Sequence, residues 1–312
     1  MVQIETNGPD RGPQETTAQN FGYFSPLKNH TLWKGSSMRF AKLCTTVFLI
    51  IACGFAPAFA ADLLMVGADA TNPINGLNRI EFMRGRVLNG ATIGGFSFGN
   101  VDTFDTKIAT PTLSNLQQYS ALVVWSSFSI FDPTTLGNNL ADYVDAGGNV
   151  VVMSFGSSLG PTGRWASGGY DPLIGSYGGG NVGSMGTIYD PSNPIFAGVS
   201  TINAEYIQPG TVRAGATLLA SWTNDYTGTG TFTPTPMVIQ SNGLTGKVVN
   251  LNFYGAYPYY PNTNGDIDRL IANTLNVLTV PEPATWLLGL LAAGVLSQSI
   301  RHRRKSMRLI QS

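Results

Sequence analysis

The sequence predicts an α/β domain built on a flavodoxin-like or Rossmann-like, mostly parallel sheet with helices on both faces. Three consecutive segments predict it: an apolar run at 119–125, a helical pattern that begins at Asp132-Pro133, and a second apolar run at 149–155. β-Branched and aromatic residues favour strands, and an aspartate followed by a proline is typical of a helix N-terminus. A strand, a helix and a strand joined by short connections form a crossover between parallel strands.

Weaker patterns predict the remaining elements of the domain, which we place at residues 61–280. The predicted strands cover 62–67, 101–104, 217–222, 236–240 and 247–253, and the predicted helices cover 76–88 and 266–278. Asp266 stands at the start of the last helix, where a carboxylate would cap the exposed amides and interact favourably with the helix dipole. The segment 156–186 is rich in Gly and Ser, so we predict one long loop there.

The N-terminal end has the three parts of a secretory signal peptide. Within residues 38–60, a basic stretch is followed by an apolar run and by the small-residue pattern Ala58-Phe59-Ala60. This order predicts a signal peptide that signal peptidase cuts between Ala60 and Ala61. Residues 1–37 are polar and irregular, so they are predicted to be disordered, or translation begins after them. The alternative is a permanent membrane anchor, for which the apolar run is short.

The C-terminal end combines a Pro-Glu-Pro motif, an apolar run and a basic cluster. The motif consists of Pro281, Glu282 and Pro283, and the basic cluster lies at 301–305. Between them, 284–300 is a stretch of 17 residues without charge. As a helix it would extend about 25 Å, close to the thickness of the hydrocarbon core of a membrane. Basic residues beyond an apolar span stay cytoplasmic, so the domain would lie outside the inner membrane.

These three parts, in this order at 281–305, resemble the PEP-CTERM sorting signal. The resemblance implies that an exosortase, a membrane transpeptidase, processes the chain and removes its tail. It also implies export to the cell surface or into an exopolysaccharide matrix, with the C-terminal helix holding the chain in the membrane before processing. The alternative is an ordinary C-terminal anchor, in which Pro-Glu-Pro is only a stiff linker.

The composition of residues 61–280 excludes several classes of function. The region has eight basic and fourteen acidic residues, a net charge of −6, so no nucleic-acid partner is predicted. The cysteines are Cys44 and Cys53 and the histidines are His30 and His302, so the region contains neither type. It therefore cannot form a disulfide, a Cys/His zinc site or a catalytic triad that uses His. We predict no catalytic residue, no metal site and no cofactor.

The central strand-helix-strand segment carries a second resemblance. The run Tyr119–Trp125, followed by Tyr143-Val144 and the turn Gly147-Gly148 before the next strand, resembles the class I glutamine amidotransferase-like superfamily. That superfamily includes divergent trehalose-utilisation-type and carbohydrate-associated domains. The resemblance implies the same α/β architecture for 61–280. The catalytic Cys and His of the superfamily have no counterpart in this region, so amidotransferase activity is not implied.

Ligands of open α/β sheets bind at the carboxyl ends of the strands. This rule selects candidate ligand-binding residues that follow predicted strands, together with an arginine of the long loop: Asp69, Ser126, Ser127, Ser157, Ser158 and Arg164. The alternative for the long loop is that Trp165 and Tyr170 pack it against the core. A G-x-S-x-G pattern at 156–160 is interpreted as a structural loop, because no helical pattern follows it and no His is available as a base.

The predicted function is that of an exported, non-enzymatic binding or structural module, at the cell surface or in an exopolysaccharide matrix. Its partners would be polysaccharide or neighbouring proteins. A Tyr- and Pro-rich stretch at 254–261 fits either a sugar-stacking surface or a loop that closes the sheet edge. The alternative function is a carboxylate-dependent hydrolase of extracellular polysaccharide, with a pair such as Asp69 and Asp225. Such an enzyme needs its two carboxylates about 5–10 Å apart in a cleft.

Overall fold

The computed structural model describes residues 60–69, 76, 78–154, 159–175, 181–225, 233–256 and 262–280. The predicted signal peptide, apart from Ala60, and the sorting motif at 281–283 lie outside these residues. Among the residues that are described, no helix is long and apolar enough to cross a membrane. The span predicted at 284–300 is not among them.

The described part of the chain alternates strands and helices in its first half and consists mainly of strands in its second half. The strands are β1 (Leu63–Ala68), β2 (Val101–Asp105), β3 (Ala121–Ser126), β4 (Asn149–Met153), β5 (Leu173–Gly175), β6 (Val182–Ile188), β7 (Ile202–Glu205), β8 (Gly210–Val212), β9 (Thr217–Trp222), β10 (Pro236–Gln240), β11 (Val248–Leu251) and β12 (Asn264–Gly265). The helices are α1 (Arg79–Gly94), α2 (Leu113–Leu116), α3 (Pro133–Asp145), α4 (Gly163–Ser167) and α5 (Ile267–Thr279), with a 3₁₀ turn at Pro194–Phe196.

Ten of the described strands form one sheet, in the order β12-β7-β6-β9-β10-β11-β4-β3-β1-β2. The run from β11 to β2 is parallel, whereas the pairs from β12 to β11 are antiparallel. The prediction of a mostly parallel sheet therefore holds for only half of it, and the whole sheet is mixed. Parallel neighbours need long crossovers, which α1 and α3 supply. Between β6 and β10 the described chain has no such helix, so consecutive strands run antiparallel.

Helices cover both faces of the sheet, as predicted. α1 and α5 pack on one face, and α3 packs on the other, so the molecule has two apolar layers. The central strand β3 is buried on both faces, and its side chains alternate between the layers. Val123 and Trp125 point toward α1 and α5, while Leu122 and Val124 point toward α3.

The helix predicted at Asp132-Pro133 is confirmed, with the local chemistry that the sequence indicates. The carboxylate of Asp132 accepts the backbone N–H of Thr135 at 2.9 Å, and Pro133 is the first helical residue. The helix stops before Gly147, which has a φ of +95°, a backbone conformation that favours glycine. The next strand, β4, then runs parallel to β3.

The segment 156–186 is not one long loop, contrary to our prediction. Its described residues form α4 and β5 and include the start of β6. Trp165 and Tyr170 are buried and stack with their ring centroids 5.6 Å apart. Their burial against the layer that contains α3 orders a segment whose Gly and Ser content by itself favours a loop.

The prediction for Asp266 is half right. Asp266 occupies the N-cap position of α5, but its side chain makes no capping hydrogen bond to that helix. Its carboxylate instead accepts the backbone N–H groups of Ser200 and Thr201, at 2.8 and 3.1 Å. These charge-assisted bonds lower the pKa of Asp266 and fasten the start of β7 to the start of α5.

α1 and α5 approach each other closely at Gly90. A Cβ at this position would overlap the backbone oxygen of Asp268 and would crowd Ala272. The close contact brings the N-terminal turn of α5 against the middle of α1. At its other end, α5 reaches the start of β4, where Asn149 donates its side-chain amide to the backbone oxygen of Leu278 at 3.0 Å.

Candidate functional site

The carboxyl edge of the parallel strands is organised around Asp69. Asp69 directly follows β1, Ser127 follows the adjacent β3, and Tyr254 lies just beyond β11, three places away in the sheet. The sequence places Ser126 on the same edge, and it pairs in register with Ala68. These polar side chains lie at the carboxyl ends of the parallel strands, where open α/β sheets bind ligands, although most of them are buried.

Asp69 is enclosed by four hydrogen-bond donors. Its Oδ1 atom accepts from the hydroxyl of Ser127 at 2.7 Å and from Nη1 of Arg79 at 3.2 Å. Its Oδ2 atom accepts from the indole N–H of Trp125 at 3.0 Å and from the hydroxyl of Tyr254. The side chain of Asp69 is 0% exposed and that of Arg79 is 17% exposed, so the ion pair is largely shielded from water.

Two features of the backbone and the environment hold this network in place. Gly67 lies beside Trp125 in the sheet, and a Cβ on Gly67 would be 2.5 Å from Cζ2 of the indole, so the absent side chain makes room for Trp125. Burial, reinforced by the neighbouring carboxylate of Asp69, raises the pKa of Tyr254, so its hydroxyl remains a donor. The Asp69 network therefore consists of a carboxylate surrounded by fixed donors, an arrangement that orients loops at the sheet edge.

Ser127, a predicted ligand residue, donates to Asp69, whereas the other candidates that the structure describes contact different partners. Ser126 is fully buried and donates its hydroxyl to the backbone oxygen of Leu159 at 3.0 Å. Ser157 and Ser158 lie outside the described residues, as does part of the G-x-S-x-G pattern. Arg164 belongs to α4, on the face of the sheet that α3 covers. The prediction of a single ligand site from these residues remains a prediction.

Arg164 lies in an exposed ion-pair cluster on the surface of α3. Its guanidinium contacts the carboxylate of Asp142 and that of Asp145, the latter at 2.5 Å, and Tyr170 donates to Asp145 at 2.8 Å. Hydrogen bonds from Tyr170 and Arg164 lower the pKa of Asp145. The cluster ties the end of α4 to α3, which agrees with the alternative that Trp165 and Tyr170 pack this segment against the core.

The carboxylate pair considered for a hydrolase is far apart. Asp69 follows β1 and Asp225 follows β9, and these strands are five places apart in the sheet. At about 4.8 Å per strand, five spacings correspond to roughly 24 Å, well beyond the separation that glycoside hydrolysis requires. Tyr254 is also buried, so it does not offer a stacking surface for sugars. The other tyrosines of that stretch lie outside the described residues.

Sequence reasoning missed a groove between α1 and the N-terminal turn of α5. The groove has a volume of about 740 Å³ and contains Phe82, Arg86, Asn89 and Asp268 among its lining residues. Arg86 Nη1 donates to Asp268 Oδ1 at 2.5 Å, and Asn89 Nδ2 donates to Asp268 Oδ2 at 2.7 Å. The guanidinium of Arg86 also lies 4.8 Å from the ring centroid of Phe82. Gly85, a glycine in the middle of α1, is a sequence signal that would have indicated it.

The described residues show no group of three or more His, Cys, Asp or Glu side chains placed to hold a metal ion. In the segment 262–268, two polar side chains are bonded to other parts of the domain. Asn262 donates its side-chain amide to Glu205 at 2.8 Å. Asp266 accepts a hydrogen bond from the hydroxyl of Ser200, which lies just before β7.

Comparison with known sequences identifies the C-terminal segment. Residues 279–305 match the PEP-CTERM protein-sorting motif. The match covers Pro281, Glu282 and Pro283, so the predicted sorting signal is confirmed. A motif of this kind implies that the chain is exported and processed by an exosortase. No curated protein sequence matches the chain.

Solved structures are similar in fold at low sequence identity. A ThuA-like protein from Bacteroides uniformis is 12% identical, with a TM-score of 0.51 over 74% of this chain and 96% of its own. A ThuA-like protein from Parabacteroides merdae is 12% identical, with a TM-score of 0.48 over 72% of this chain and 94% of its own. A glutamine amidotransferase from Thermotoga maritima is 12% identical, with a TM-score of 0.37 over 70% of this chain and 82% of its own. At 12% identity the similarity to the protein from Bacteroides uniformis concerns the fold alone.

Proposed function

We propose that the chain is a surface or extracellular-matrix protein, sorted by an exosortase, whose α/β domain is a non-catalytic binding or structural module. The observation that carries the proposal is the match of residues 279–305 to the PEP-CTERM protein-sorting motif. Because that signal acts outside the cytoplasm, the domain would meet its partners at the cell surface or in the matrix around it. Polysaccharide is the partner that we propose.

The chemistry of the domain supports a non-catalytic role. Residues 61–280 contain no His and no Cys, which removes the side chains that most often act as general base and nucleophile near neutral pH. Asp69 is the carboxylate at the position where α/β folds usually bind ligands, and it is enclosed by Arg79, Ser127, Trp125 and Tyr254. We infer that a carboxylate with this set of hydrogen bonds stabilises the edge of the sheet.

The intact mass of the protein recovered from culture tests the sorting. We would compare the wild-type chain in a host with its exosortase, the same chain in a host without it, and a chain in which Pro281, Glu282 and Pro283 are all replaced by alanine. The expected wild-type mass begins at Ala61 and ends close to Pro283. Without the exosortase, and in the alanine variant, the mass should include the C-terminal tail.

The opposite result would overturn the proposal. A wild-type mass that extends through Ser312 in both hosts would mean that the C-terminal segment is an ordinary membrane anchor. Cleavage of the alanine variant at the wild-type position would mean that a different protease, which does not read the motif, processes the chain.

A further inference from the structure

We propose that the groove along α1, defined by Glu81, Phe82, Gly85, Arg86, Asn89 and Asp268, binds a segment of a neutral polysaccharide chain. This inference rests on the proposed function, because it names the site at which the exported domain would contact its polysaccharide partner. The lining residues do not include those of the Asp69 network or any described ligand residue that was predicted from the sequence.

The size and rigidity of the groove suit a small ligand segment. Its volume of about 740 Å³ lies in the range of roughly 300–1,000 Å³ that small-ligand sites usually have. Three of its polar side chains are preorganised, because Arg86 and Asn89 each donate to a different oxygen of Asp268. Side chains that are already fixed lose little conformational entropy on binding.

The groove offers hydrogen-bond donors and acceptors side by side. Arg86 uses Nη1 for its bond to Asp268, and in the described residues no acceptor is bonded to its Nη2 group. Asn89 uses its amide N–H in the same way, and in that part of the chain nothing donates to its carbonyl oxygen. A sugar hydroxyl both donates and accepts, so a row of hydroxyls matches this mixture. The half-buried ring of Phe82 adds apolar surface, which the C–H face of a sugar ring can cover.

The charges of the groove argue against the other ligand classes. Glu81 pairs with Arg84 at 3.5 Å and Asp268 pairs with Arg86 at 2.5 Å, so a phosphate or a uronate would find no excess of positive charge in the groove to replace its lost hydration. A wholly apolar ligand would remove water from these charges without replacing its hydrogen bonds. A neutral saccharide avoids both costs.

Gly85 is the second, independent observation. It lies in the middle of α1, where glycine is a poor helix former, and a Cβ at this position would meet nothing within 4 Å. The contacts of α1 therefore do not require a glycine at 85, in contrast to Gly90, where a Cβ would overlap α5. Because Gly85 has no side chain, the backbone of α1 is accessible at this point of the groove. A ligand can therefore lie against the helix.

The test fills the groove without disturbing the fold. Gly85→Gln places a polar side chain on the groove floor, and Ile93→Gln changes an exposed residue of the same helix that does not line the groove. The processed protein from culture, in wild-type and variant forms, would be titrated by calorimetry. The probes are oligosaccharides of about six units from the exopolysaccharide of the producing strain, separated by anion exchange into neutral and acidic fractions.

We expect the wild-type protein and Ile93→Gln to bind the neutral fraction equally, and Gly85→Gln to bind it at least tenfold more weakly. The thermal midpoint of Gly85→Gln should be unchanged or higher, which shows that binding and not folding is lost. Equal binding by Gly85→Gln would overturn the groove while leaving polysaccharide as the partner. Binding of the acidic fraction alone, or of no fraction by a protein that is still sorted, would overturn the ligand class and leave the sorting intact.

Discussion

The indole N–H of Trp125 donates to Oδ2 of Asp69 at 3.0 Å, across two neighbouring parallel strands. Both residues lie at the carboxyl edge of the sheet. Their hydrogen bond therefore joins the end of β1 to the end of β3. Arg79, Ser127 and Tyr254 also donate to the same carboxylate. The network therefore connects the start of α1, the β3 end and the segment after β11.

Replacement of Asp69 by asparagine should destabilise the domain strongly. The amide cannot accept at both positions, so at least one pair of donors loses its partner, and Arg79 loses its counter-charge. We expect a loss of about 3–5 kcal/mol, the usual cost of removing one partner from a buried ion pair. Urea unfolding measures it. The matched control is Asp142→Asn, which removes an exposed partner of Arg164 and should change the midpoint little. Equal effects of the two substitutions would contradict the role of the network.

Two glycines of the same helix should respond in opposite ways to alanine. Gly85→Ala should raise the free energy of unfolding by about 0.5–1 kcal/mol, because the site is open and alanine is a better helix former. Gly90→Ala should lower it by about 1–3 kcal/mol, because the new Cβ would overlap the backbone of α5 at Asp268. Thermal or urea unfolding of both variants decides the matter. A stabilising Gly90→Ala would mean that α1 and α5 are not packed as closely as described.

The stability of the domain should depend on pH through Asp171. Its Oδ1 atom accepts from Leu173 N–H at 3.0 Å and from the Asn250 amide at 2.9 Å, and burial raises its pKa to about 6. A folded-state pKa above the unfolded value of 3.8 means that the native state binds the proton more tightly. Its contribution is therefore most favourable below pH ~4 and is lost as pH rises through ~6, a change of about 3 kcal/mol.

The substitution Asp171→Asn isolates this effect. Asp171 Oδ2 and Asn250 Oδ1 are buried, and within the described chain neither has a hydrogen-bond partner. An amide at position 171 can supply a donor there at every pH. We expect the difference in unfolding free energy between the wild-type chain and the Asp171→Asn variant to grow between pH 4 and 7, in favour of the variant. A difference that stays constant over this range would show that Asp171 titrates at its ordinary pKa.

Arg164→Gln should leave saccharide binding unchanged. The guanidinium is committed to Asp142 and Asp145 on the surface of α3, and Arg164 does not line the groove along α1. Because the ion pairs are exposed, the unfolding midpoint should also change little. Calorimetric titration with the neutral oligosaccharides measures the first quantity. If Arg164→Gln abolished binding while the protein stayed folded, the ligand site predicted from the sequence would be favoured over the groove.

Local patterns predicted much of the fold. The strand–helix–strand unit around α3, the closing helix α5 and the strands β9 and β10 follow from periodicity, capping residues and β-branched runs. The antiparallel half was not predicted as such, since its short strands have no helices between them to indicate topology. β5 and β8, which pair with each other, are three residues each and carry almost no pattern.

The candidate sites were harder to predict, because their partners are distant in sequence. The strand-end rule found Asp69, but its contact with Tyr254 joins residues 185 positions apart. Arg86 and Asp268, which define the groove, are 182 positions apart, and Asp266 bonds Ser200 across 66 positions. The sequence shows which side chains are able to pair. It does not show which of them the folded chain brings together.

The end of α5 has a consequence for how the protein is presented. The helix finishes beside the first residue of β4, and Val280, which is 55% exposed, continues the chain away from that point. All five parallel strands start on this side of the sheet. A chain attached through its C-terminal segment would therefore be held on the side where the parallel strands begin, and Asp69 lies at the opposite edge, where β1 ends. Cleavage near Pro283 would leave every described strand and helix intact, since the last of them ends at Thr279.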